Sequence, residues 1–214
     1  MGYKVKELFY TLQGEGAQTG RASVFCRFTG CNLWSGREED RNDAVCTFCD
    51  TDFVGTNGPG GGSFRHAAEL ASAIARVWSD HVEGQHGKPY VVFTGGEPAL
   101  QLDNALVEAC HSNGFEVAIE TNGTKPIPSG IDWICVSPKA NQPLVVESGD
   151  EIKLVFPQQD VNPERYLELK FDHFYLQPKD TGTRTCHVES TIDYCRANPR
   201  WRLSIQTHKI VSIP

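Results

Sequence analysis

The chain has 214 residues, of which 39% are hydrophobic and 22% are charged, a composition typical of one globular domain. Its formal net charge of −7 argues against a nucleic-acid partner, and no apolar segment has the length of a membrane span or the pattern of a signal peptide. We therefore expect a cytoplasmic protein with no nucleic-acid and no membrane partner.

β-Branched and aromatic residues mark eight strands along the chain. Their predicted ranges are 5–10, 23–28, 90–94, 115–120, 133–136, 151–156, 173–176 and 202–205. Apolar periodicity predicts a helix through residues 67–78 with Ser63 as its N-cap, a second helix over 103–112, and shorter helices over 162–170 and 189–197.

Strands that alternate with helices indicate an α/β fold with a parallel sheet. About six parallel strands are too few for a closed eight-stranded barrel. We therefore predict a partial, open parallel β/α barrel in which residues 1–214 form a single domain. In such folds ligands bind at the carboxyl ends of the strands.

A glycine-rich segment at residues 55–62 is predicted to be a flexible connector. It contains Gly58-Pro59-Gly60, but no strand leads directly into it. A dinucleotide-binding fingerprint requires that strand, so the segment is not interpreted as one.

Eight cysteines are many for this length, and in a reducing compartment they favour metal or redox chemistry over disulfides. Three of them have the spacing Cys31-x14-Cys46-x2-Cys49. Three thiolates can bind a four-iron cluster and leave one iron open to a cofactor or substrate. A structural zinc site is the main alternative, although zinc prefers four protein ligands from two close pairs. The cysteines expected to act as small core residues are Cys110, Cys135, Cys186 and Cys195.

A small anionic substrate would need a basic pocket within this acidic chain. The residues that could supply it are Arg27, Lys139, Lys153, Lys179 and His208.

The segment Thr94-Gly95-Gly96-Glu97-Pro98 directly follows a predicted strand. Two glycines let a backbone pass close to a ligand and leave its amides and carbonyls free to bind. The alternative is a tight strand-to-helix turn, which does not account for the glutamate and proline that follow.

Together with the cysteines, this segment resembles the radical S-adenosylmethionine superfamily. Further segments narrow the resemblance to the 7-carboxy-7-deazaguanine synthase family, and they lie at residues 11–16, 26–33, 49–51, 120–124, 136–139 and 176–178. The resemblance extends over nearly the whole chain. Its main departure is the long spacing between the first two cysteines, which we interpret as an inserted segment at residues 32–45.

The resemblance implies ring contraction of 6-carboxy-5,6,7,8-tetrahydropterin to 7-carboxy-7-deazaguanine, with loss of ammonia, in queuosine biosynthesis. A [4Fe-4S] cluster would reduce S-adenosylmethionine to release a radical that takes hydrogen from the pterin. The resemblance also implies Mg²⁺, an electron donor such as flavodoxin, and a homodimer. Two alternatives stay open: a glycyl-radical activase, which shares the three-cysteine site but acts on a protein, and a non-enzymatic zinc-binding module.

The resemblance also assigns residues by position. Cys31, Cys46 and Cys49 would hold the cluster, and Thr51 would bind Mg²⁺. The residues expected to contact S-adenosylmethionine are Phe48, Gly96, Ser137, Pro138, Lys139, Gln177, Pro178, Lys179 and Asp180. The residues expected to contact the substrate are Leu12, Gln13, Gly14, Glu15, Arg27, Thr94 and Pro214, with Arg27 opposite the substrate carboxylate. The resemblance leaves open whether Asp50, Glu120 and His208 contact a ligand.

Overall fold

The computed structural model describes residues 2–84, 87–180 and 184–214, with side chains in the last range from residue 187 onward. The strands are β1 (Tyr3–Leu12), β2 (Ala22–Phe28), β3 (Gly62–Phe64), β4 (Tyr90–Gly95), β5 (Glu116–Thr121), β6 (Trp133–Val136), β7 (Ser148–Phe156), β8 (Lys170–Pro178) and β9 (Arg202–Leu203). The helices are α1 (Ala67–Ser79), α2 (Asn104–Ser112), α3 (Arg184–Ala197) and α4 (Thr207–Val211). Short 3-10 turns occupy Gly16–Gln18, Glu38–Asp43, Pro98–Leu100 and Pro163–Tyr166. None of the helices in this described part is long and apolar enough to cross a membrane.

The nine strands of the described residues form one open sheet in the order β3-β1-β2-β4-β5-β6-β7-β8-β9. β1 runs antiparallel to both of its neighbours, and every pairing from β2 to β9 is parallel. The α/β class and the open, mostly parallel sheet are therefore confirmed. Each of the eight predicted strands is present, whereas the three-residue β3 was missed because it is too short to show a pattern.

Helices α1 and α2 cover one face of the sheet. Leu70 and Ile74 of α1 and Leu106 of α2 are fully buried against apolar side chains of β1, β2, β4 and β5. Burial of a side chain of this size contributes about 1.5–3 kcal/mol to folding. A second core, around Leu154 and Trp201, continues the apolar layer under β7 and β8.

The opposite face of the sheet is polar toward the carboxyl ends of the strands. Because side chains alternate between the two faces of a strand, residues two apart share a face. Five of the parallel strands (β2, β4, β5, β7 and β8) each place one polar residue on the face away from the helices. These residues are Arg27, Thr94, Glu120, Lys153 and Gln177. This alternation positions the functional site.

Two predicted helical features are wrong. Ser63 lies in β3 and caps nothing; α1 begins at Ala67, after His66. The helix predicted over residues 162–170 is only the 3-10 turn Pro163–Tyr166. Lys170 must be extended to pair with Ser148 of β7, and this pairing ends the helical conformation early.

The glycine-rich segment at residues 55–62 packs along β1 and is not a loose connector. The Gly58 amide donates to the Lys6 carbonyl at 2.9 Å, and the Leu8 amide donates to the Pro59 carbonyl at 2.8 Å. A Cβ atom at Gly61 would overlap the Lys6 carbonyl oxygen. The glycines therefore allow this segment to lie directly against the backbone of β1.

Candidate functional site

A cleft of about 420 Å³ opens at the carboxyl ends of the parallel strands. It brings together nearly all the residues that the sequence assigned to the site. Those lining it are Leu12, Gln13, Gly14, Glu15, Arg27, Cys31, Cys46, Phe48, Cys49, Thr51, Thr94, Gly96, Ser137, Lys139, Gln177, Pro178, Asp180 and Pro214. The residues left without a definite role, Asp50, Glu120 and His208, line it as well.

Two predicted cofactor residues do not line this cleft. Pro138 is buried, whereas its partly buried neighbours Ser137 and Lys139 line the cleft. Lys179 lines a smaller pocket of about 100 Å³, together with Ile205 and Ile210. The Lys179 ammonium lies 5.2 Å from the centre of the Phe48 ring, so it reaches the site only through that ring.

The three predicted cluster cysteines lie at one end of the cleft, and each sulfur accepts backbone hydrogen bonds. Leu33 and Trp34 donate to Cys31, the first at 3.4 Å. Phe48 donates to Cys46, and Thr51 donates to Cys49. Backbone N–H groups of this kind stabilise thiolates and tune an iron–sulfur cluster.

The thiols of this group differ in acidity. A hydrogen bond from Cys46 lowers the pKa of Cys49 to about 6, and the same bond together with burial raises the pKa of Cys46. Burial also raises the pKa of Cys31. Only a thiolate binds metal, so loading the site must release protons.

Within the described ranges, no three His, Cys, Asp or Glu side chains are grouped as a single-ion site requires. A four-iron cluster makes a different demand, since each of its cysteines binds a separate iron. Three thiols with backbone donors along one wall of the cleft fit that demand.

The segment at residues 32–45, which the sequence predicts to be an insertion, contacts the cysteine loop. Arg41 donates from one terminal nitrogen to the carbonyls of Thr47 and Cys49, at 3.0 and 3.1 Å. Its guanidinium carbon lies 4.0 Å from the centre of the Trp34 ring, and Glu38 forms an ion pair with it. Arg41 therefore fixes the backbone that carries two of the predicted cluster cysteines, Cys46 and Cys49.

Replacing Arg41 with methionine is expected to loosen that loop without removing a ligand. We expect cluster loss under mild chelation to be about tenfold faster than in the unaltered protein, in line with the effect of residues that support metal ligands. The decay of the cluster absorbance measures this rate. Arg37→Met is the matched control, because Arg37 lies in the same segment but is exposed. Its side chain forms only a long ion pair, of 3.7 Å, with Glu39. Equal rates for the two variants would contradict the role of Arg41.

Gly95, the last residue of β4, and Gly96, which follows it, have a packing role. The Gly96 amide donates to the Phe28 carbonyl and the Glu97 amide donates to the Gly30 carbonyl, at 3.2 and 2.9 Å. A Cβ atom on Gly95 or Gly96 would overlap this neighbouring backbone. The expectation that the glycine amides are free to bind a ligand is therefore wrong for Gly96, and the two glycines bring the end of β4 against the turn that carries Cys31.

Glu97 joins this turn to the end of β5. It is fully buried and accepts hydrogen bonds from the Ala99 amide, the Thr121 hydroxyl and the Asn122 amide at 2.9, 2.6 and 2.8 Å. Burial raises its pKa, and these three donors limit the rise. One carboxyl group thus joins the turn after β4 to the end of β5.

The other end of the cleft contains a network of buried charges. Lys153 lies 2.6 Å from Glu15 and 3.1 Å from Glu120. Gln13 donates to Glu120 at 2.9 Å, while Gln177 donates to Glu15 at 3.1 Å. Burial alone would raise the pKa of Glu15, but the charge and hydrogen bond of Lys153 outweigh it and bring the pKa to about 2.

A basic group lies beside this network. The Arg27 Nε donates to Glu7 at 2.7 Å, and among the described residues its two terminal nitrogens have no hydrogen-bond partner. Lys6, which is buried, pairs with Asp52 at 2.7 Å on the same side of the cleft. The free nitrogens of Arg27 can bind a carboxylate with the planar geometry that guanidinium favours.

The C-terminal segment, residues 206–214, closes one side of the cleft. Thr207 donates twice to the Gly14 carbonyl, and the Thr11 hydroxyl donates to the main-chain oxygen of Pro214 at 2.8 Å. Lys209 bridges Asp50 and Asp180 at 2.6 and 2.8 Å. This segment therefore connects β1, the cysteine loop and the end of β8.

Of the other described cysteines, Cys135 also lines the cleft, whereas Cys26, Cys110 and Cys195 pack in the cores. Cys110 is a buried residue of α2, Cys135 is buried beside Glu151, and Cys195 is partly buried in the core near Trp201. The side chain of Cys186 lies outside the described residues. Lys153 was named from the sequence only as one of several possible basic groups, and Glu97 and Arg41 were given no role.

The chain is similar to curated proteins over its full length. The 7-carboxy-7-deazaguanine synthase of Bordetella pertussis is 64% identical over 214 residues, and the match covers 100% of both chains. The 7-carboxy-7-deazaguanine synthase of Caulobacter vibrioides is 57% identical with the same coverage. That of Haemophilus influenzae is 30% identical and covers 99% of this chain and 94% of its own.

A solved structure is similar in fold. The crystal structure of QueE from Escherichia coli aligns with a TM-score of 0.68 and 28% identity, covering 97% of this chain and 95% of that one. No model of a protein family matches the chain.

Proposed function

Because the chain belongs to the 7-carboxy-7-deazaguanine synthase family, we propose that its cleft carries out that family's ring contraction with the residue roles given below. The chain is a radical S-adenosylmethionine lyase of queuosine biosynthesis. It converts 6-carboxy-5,6,7,8-tetrahydropterin to 7-carboxy-7-deazaguanine with loss of ammonia. The proposal treats residues 1–214 as one radical S-adenosylmethionine domain with an insertion at residues 32–45.

The cluster is assigned to Cys31, Cys46 and Cys49. When bound, the cluster and S-adenosylmethionine supply the one-electron chemistry that removes a hydrogen atom from the substrate. The chain holds the three thiols against one wall of the cleft and provides a backbone donor to each sulfur. This arrangement supports the assignment, because thiolates stabilised by amides are the ligands of iron–sulfur clusters.

S-Adenosylmethionine is assigned to the wall between the cysteines and β8. The residues proposed to contact it are Phe48, Gly96, Ser137, Lys139, Gln177, Pro178 and Asp180, all of which line the cleft. Lys139 is held by Ser137, to which its ammonium donates twice at 2.7 and 2.8 Å. A fixed side chain there can orient the cofactor without rearrangement.

The substrate is assigned to the end of the cleft that contains the charge network. Arg27 would bind the substrate carboxylate, while Gln13, Glu15 and Thr94 would bind the ring. Leu12, Gly14 and Pro214 would complete the wall, since the C-terminal segment is bonded to β1 at this point. Groups that are already fixed by neighbours can hold a ring during rearrangement and exclude water.

The single observation that carries this function is that carboxylate, amide and guanidinium groups meet the cysteine wall in one cleft. A protein substrate would need an open groove, and a structural zinc site would need no such charge network. Anaerobic incubation with S-adenosylmethionine, Mg²⁺ and dithionite should give more 5′-deoxyadenosine when the pterin is added than when peptides are added. Stimulation by a peptide alone would favour an activase, and protein that takes up zinc but no iron or sulfide would favour a zinc module.

Mg²⁺ is assigned to Thr51. A single hydroxyl is a weak site, so substrate oxygens would supply the other ligands of the ion. Asp50 is adjacent, but its carboxylate is paired with Lys209.

Replacing Thr51 with alanine should therefore raise the KM for the pterin by about tenfold and make it insensitive to Mg²⁺, since a lost metal ligand costs affinity. Steady-state assays across a range of Mg²⁺ concentrations measure both effects. Thr47→Ala, at an exposed position of the same loop, should leave them unchanged. An unaltered Mg²⁺ response in Thr51→Ala would remove Thr51 from the metal site.

The proposal includes two protein partners, an electron donor such as flavodoxin and a second copy of the chain. Exposed apolar residues near the β9 edge support the homodimer, among them Ile210 and Val211 at 64% and 62% exposed. Sedimentation velocity tests it. The described cysteines are all free thiols, which supports a reducing location such as the cytoplasm.

A further inference from the structure

Lys153 is a buried cation placed between two carboxylates of the substrate end. It lies in the middle of β7, and only 5% of it is exposed. Its ammonium donates to Glu15 Oε2 and to Glu120 Oε1, which come from the β1 loop and from β5. A buried ammonium is costly unless it is paired, so its presence requires both carboxylates to stay charged.

The two carboxylates keep unused acceptor positions. Glu15 Oε1 is occupied by the amides of Gln177 and Gln206, at 3.1 and 2.9 Å, whereas Oε2 accepts from Lys153 alone. Glu120 Oε1 accepts from Gln13 and Lys153, and among the described residues its Oε2 has no hydrogen-bond partner. An ionised carboxylate accepts hydrogen bonds and donates none, so both open positions call for N–H groups on the ligand.

We propose that Lys153 is a positioning residue that fixes Glu15 and Glu120 as a pair of acceptors and so selects a ring whose edge presents adjacent N–H donors. The inference rests on the proposed substrate site and extends it to specificity. An aminopyrimidinone offers such donors from its 2-amino group and the adjacent ring nitrogen. A 2-oxo ring of the same shape places an acceptor in place of the amino group and would leave a buried carboxylate oxygen unpaired.

The environment of Lys153 makes its charge important. Cys135 and Glu151 also face the ammonium, and His208 faces Glu15. Without Lys153, two neighbouring carboxylates would remain in a buried site, and one of them would take up a proton. A protonated carboxyl group donates a hydrogen bond, so the pair could then accept a 2-oxo ring.

The test compares the binding of two stable probes, 6-carboxypterin and 6-carboxylumazine, which differ in the 2-amino and 2-oxo groups. The unaltered protein should bind the pterin at least about 100-fold more tightly, because a site built for the 2-amino donor rejects an analogue that places an acceptor there. In Lys153→Met we expect this preference to fall to within about tenfold. Lys170→Met, at an exposed position of β8, is the control and should keep the full preference.

The pH profile separates positioning from general damage to the fold. In the unaltered protein the pterin affinity contributed by Glu15 should be flat between pH 5 and 8, because its pKa of about 2 keeps it ionised throughout. In Lys153→Met the ammonium no longer opposes the effect of burial, so the pKa of the carboxyl group should rise. The ratio of the pterin affinity of the variant to that of the unaltered protein should therefore increase as the pH rises and the carboxyl group ionises. Retention of the cluster shows that the other end of the cleft is intact.

A second variant keeps the inference testable if Lys153→Met does not fold. Glu120→Gln preserves shape but replaces one acceptor oxygen with a donor, and it should lose the same preference for the pterin. Unchanged discrimination in either folded variant would overturn the inference. If the unaltered protein binds neither probe, the proposed substrate site itself is wrong. That result differs from one in which the unaltered protein discriminates and the Lys153 variant does so equally well.

Discussion

Replacing Cys46 with alanine is expected to abolish the iron–sulfur cluster and, with it, the cleavage of S-adenosylmethionine. Two thiolates from Cys31 and Cys49 would remain, and two ligands cannot hold three irons of a four-iron cluster. Activity should fall by more than about 100-fold, since even supporting residues of a metal site cost 10- to 100-fold. Iron and sulfide content after anaerobic reconstitution and the yield of 5′-deoxyadenosine measure the two effects.

Cys195→Ala is the matched control for this experiment. Cys195 lies in the second core, near Trp201 and away from the cleft, so its removal should leave cluster content and cofactor cleavage unchanged. A cluster that survives in Cys46→Ala, or disappears in Cys195→Ala, would contradict the ligand assignment.

Replacing Glu97 with alanine is expected to destabilise the fold by about 3 kcal/mol or more, because hydrogen bonds to a buried charged group contribute about 1.5–3 kcal/mol each. Three donors from two strand ends would lose their acceptor at once. Glu97→Gln should have an intermediate effect, since one oxygen remains and one donor then faces an amide N–H. Urea unfolding of the unaltered protein, Glu97→Gln and Glu97→Ala measures their free energies of unfolding, which should decrease in that order.

The control for Glu97 is Glu108, an exposed residue of α2. Glu108→Gln should change the free energy of unfolding by less than about 0.5 kcal/mol, as is usual for surface substitutions. Equal stability of Glu97→Ala and Glu108→Gln would show that the buried network does not hold β4 and β5 together.

Much of the fold was predictable because the strands have a strong pattern. β4 is a continuous run of β-branched and aromatic residues from Tyr90 to Thr94, and α1 carries Leu70 and Ile74 one turn apart. β3 was not predictable, since Gly62 to Phe64 form a strand only because β1 lies beside them. The prediction of a helix over residues 162–170 was wrong for a similar reason, because the pairing of Lys170 with β7 overrides the local helical preference.

Most of the predicted site residues were assigned from the resemblance of short sequence segments to a family. The residues to which that resemblance gave no role act through tertiary contacts. Lys153 is one cation in an apolar strand, and only the fold brings Glu15 and Glu120 to it from distant parts of the chain. A polar residue near the carboxyl end of five of the six parallel strands from β2 to β8, on the same face of each, was a signal that could have found it. Arg41 gave no such signal, because its importance lies in the carbonyls it reaches.

The most direct test is the product formed by the reconstituted protein. It would be incubated anaerobically with 6-carboxy-5,6,7,8-tetrahydropterin, S-adenosylmethionine, Mg²⁺ and dithionite, and the mixture analysed by mass spectrometry. The account predicts 7-carboxy-7-deazaguanine together with 5′-deoxyadenosine. Formation of 5′-deoxyadenosine alone, from protein shown to carry an intact cluster, would contradict the assigned substrate.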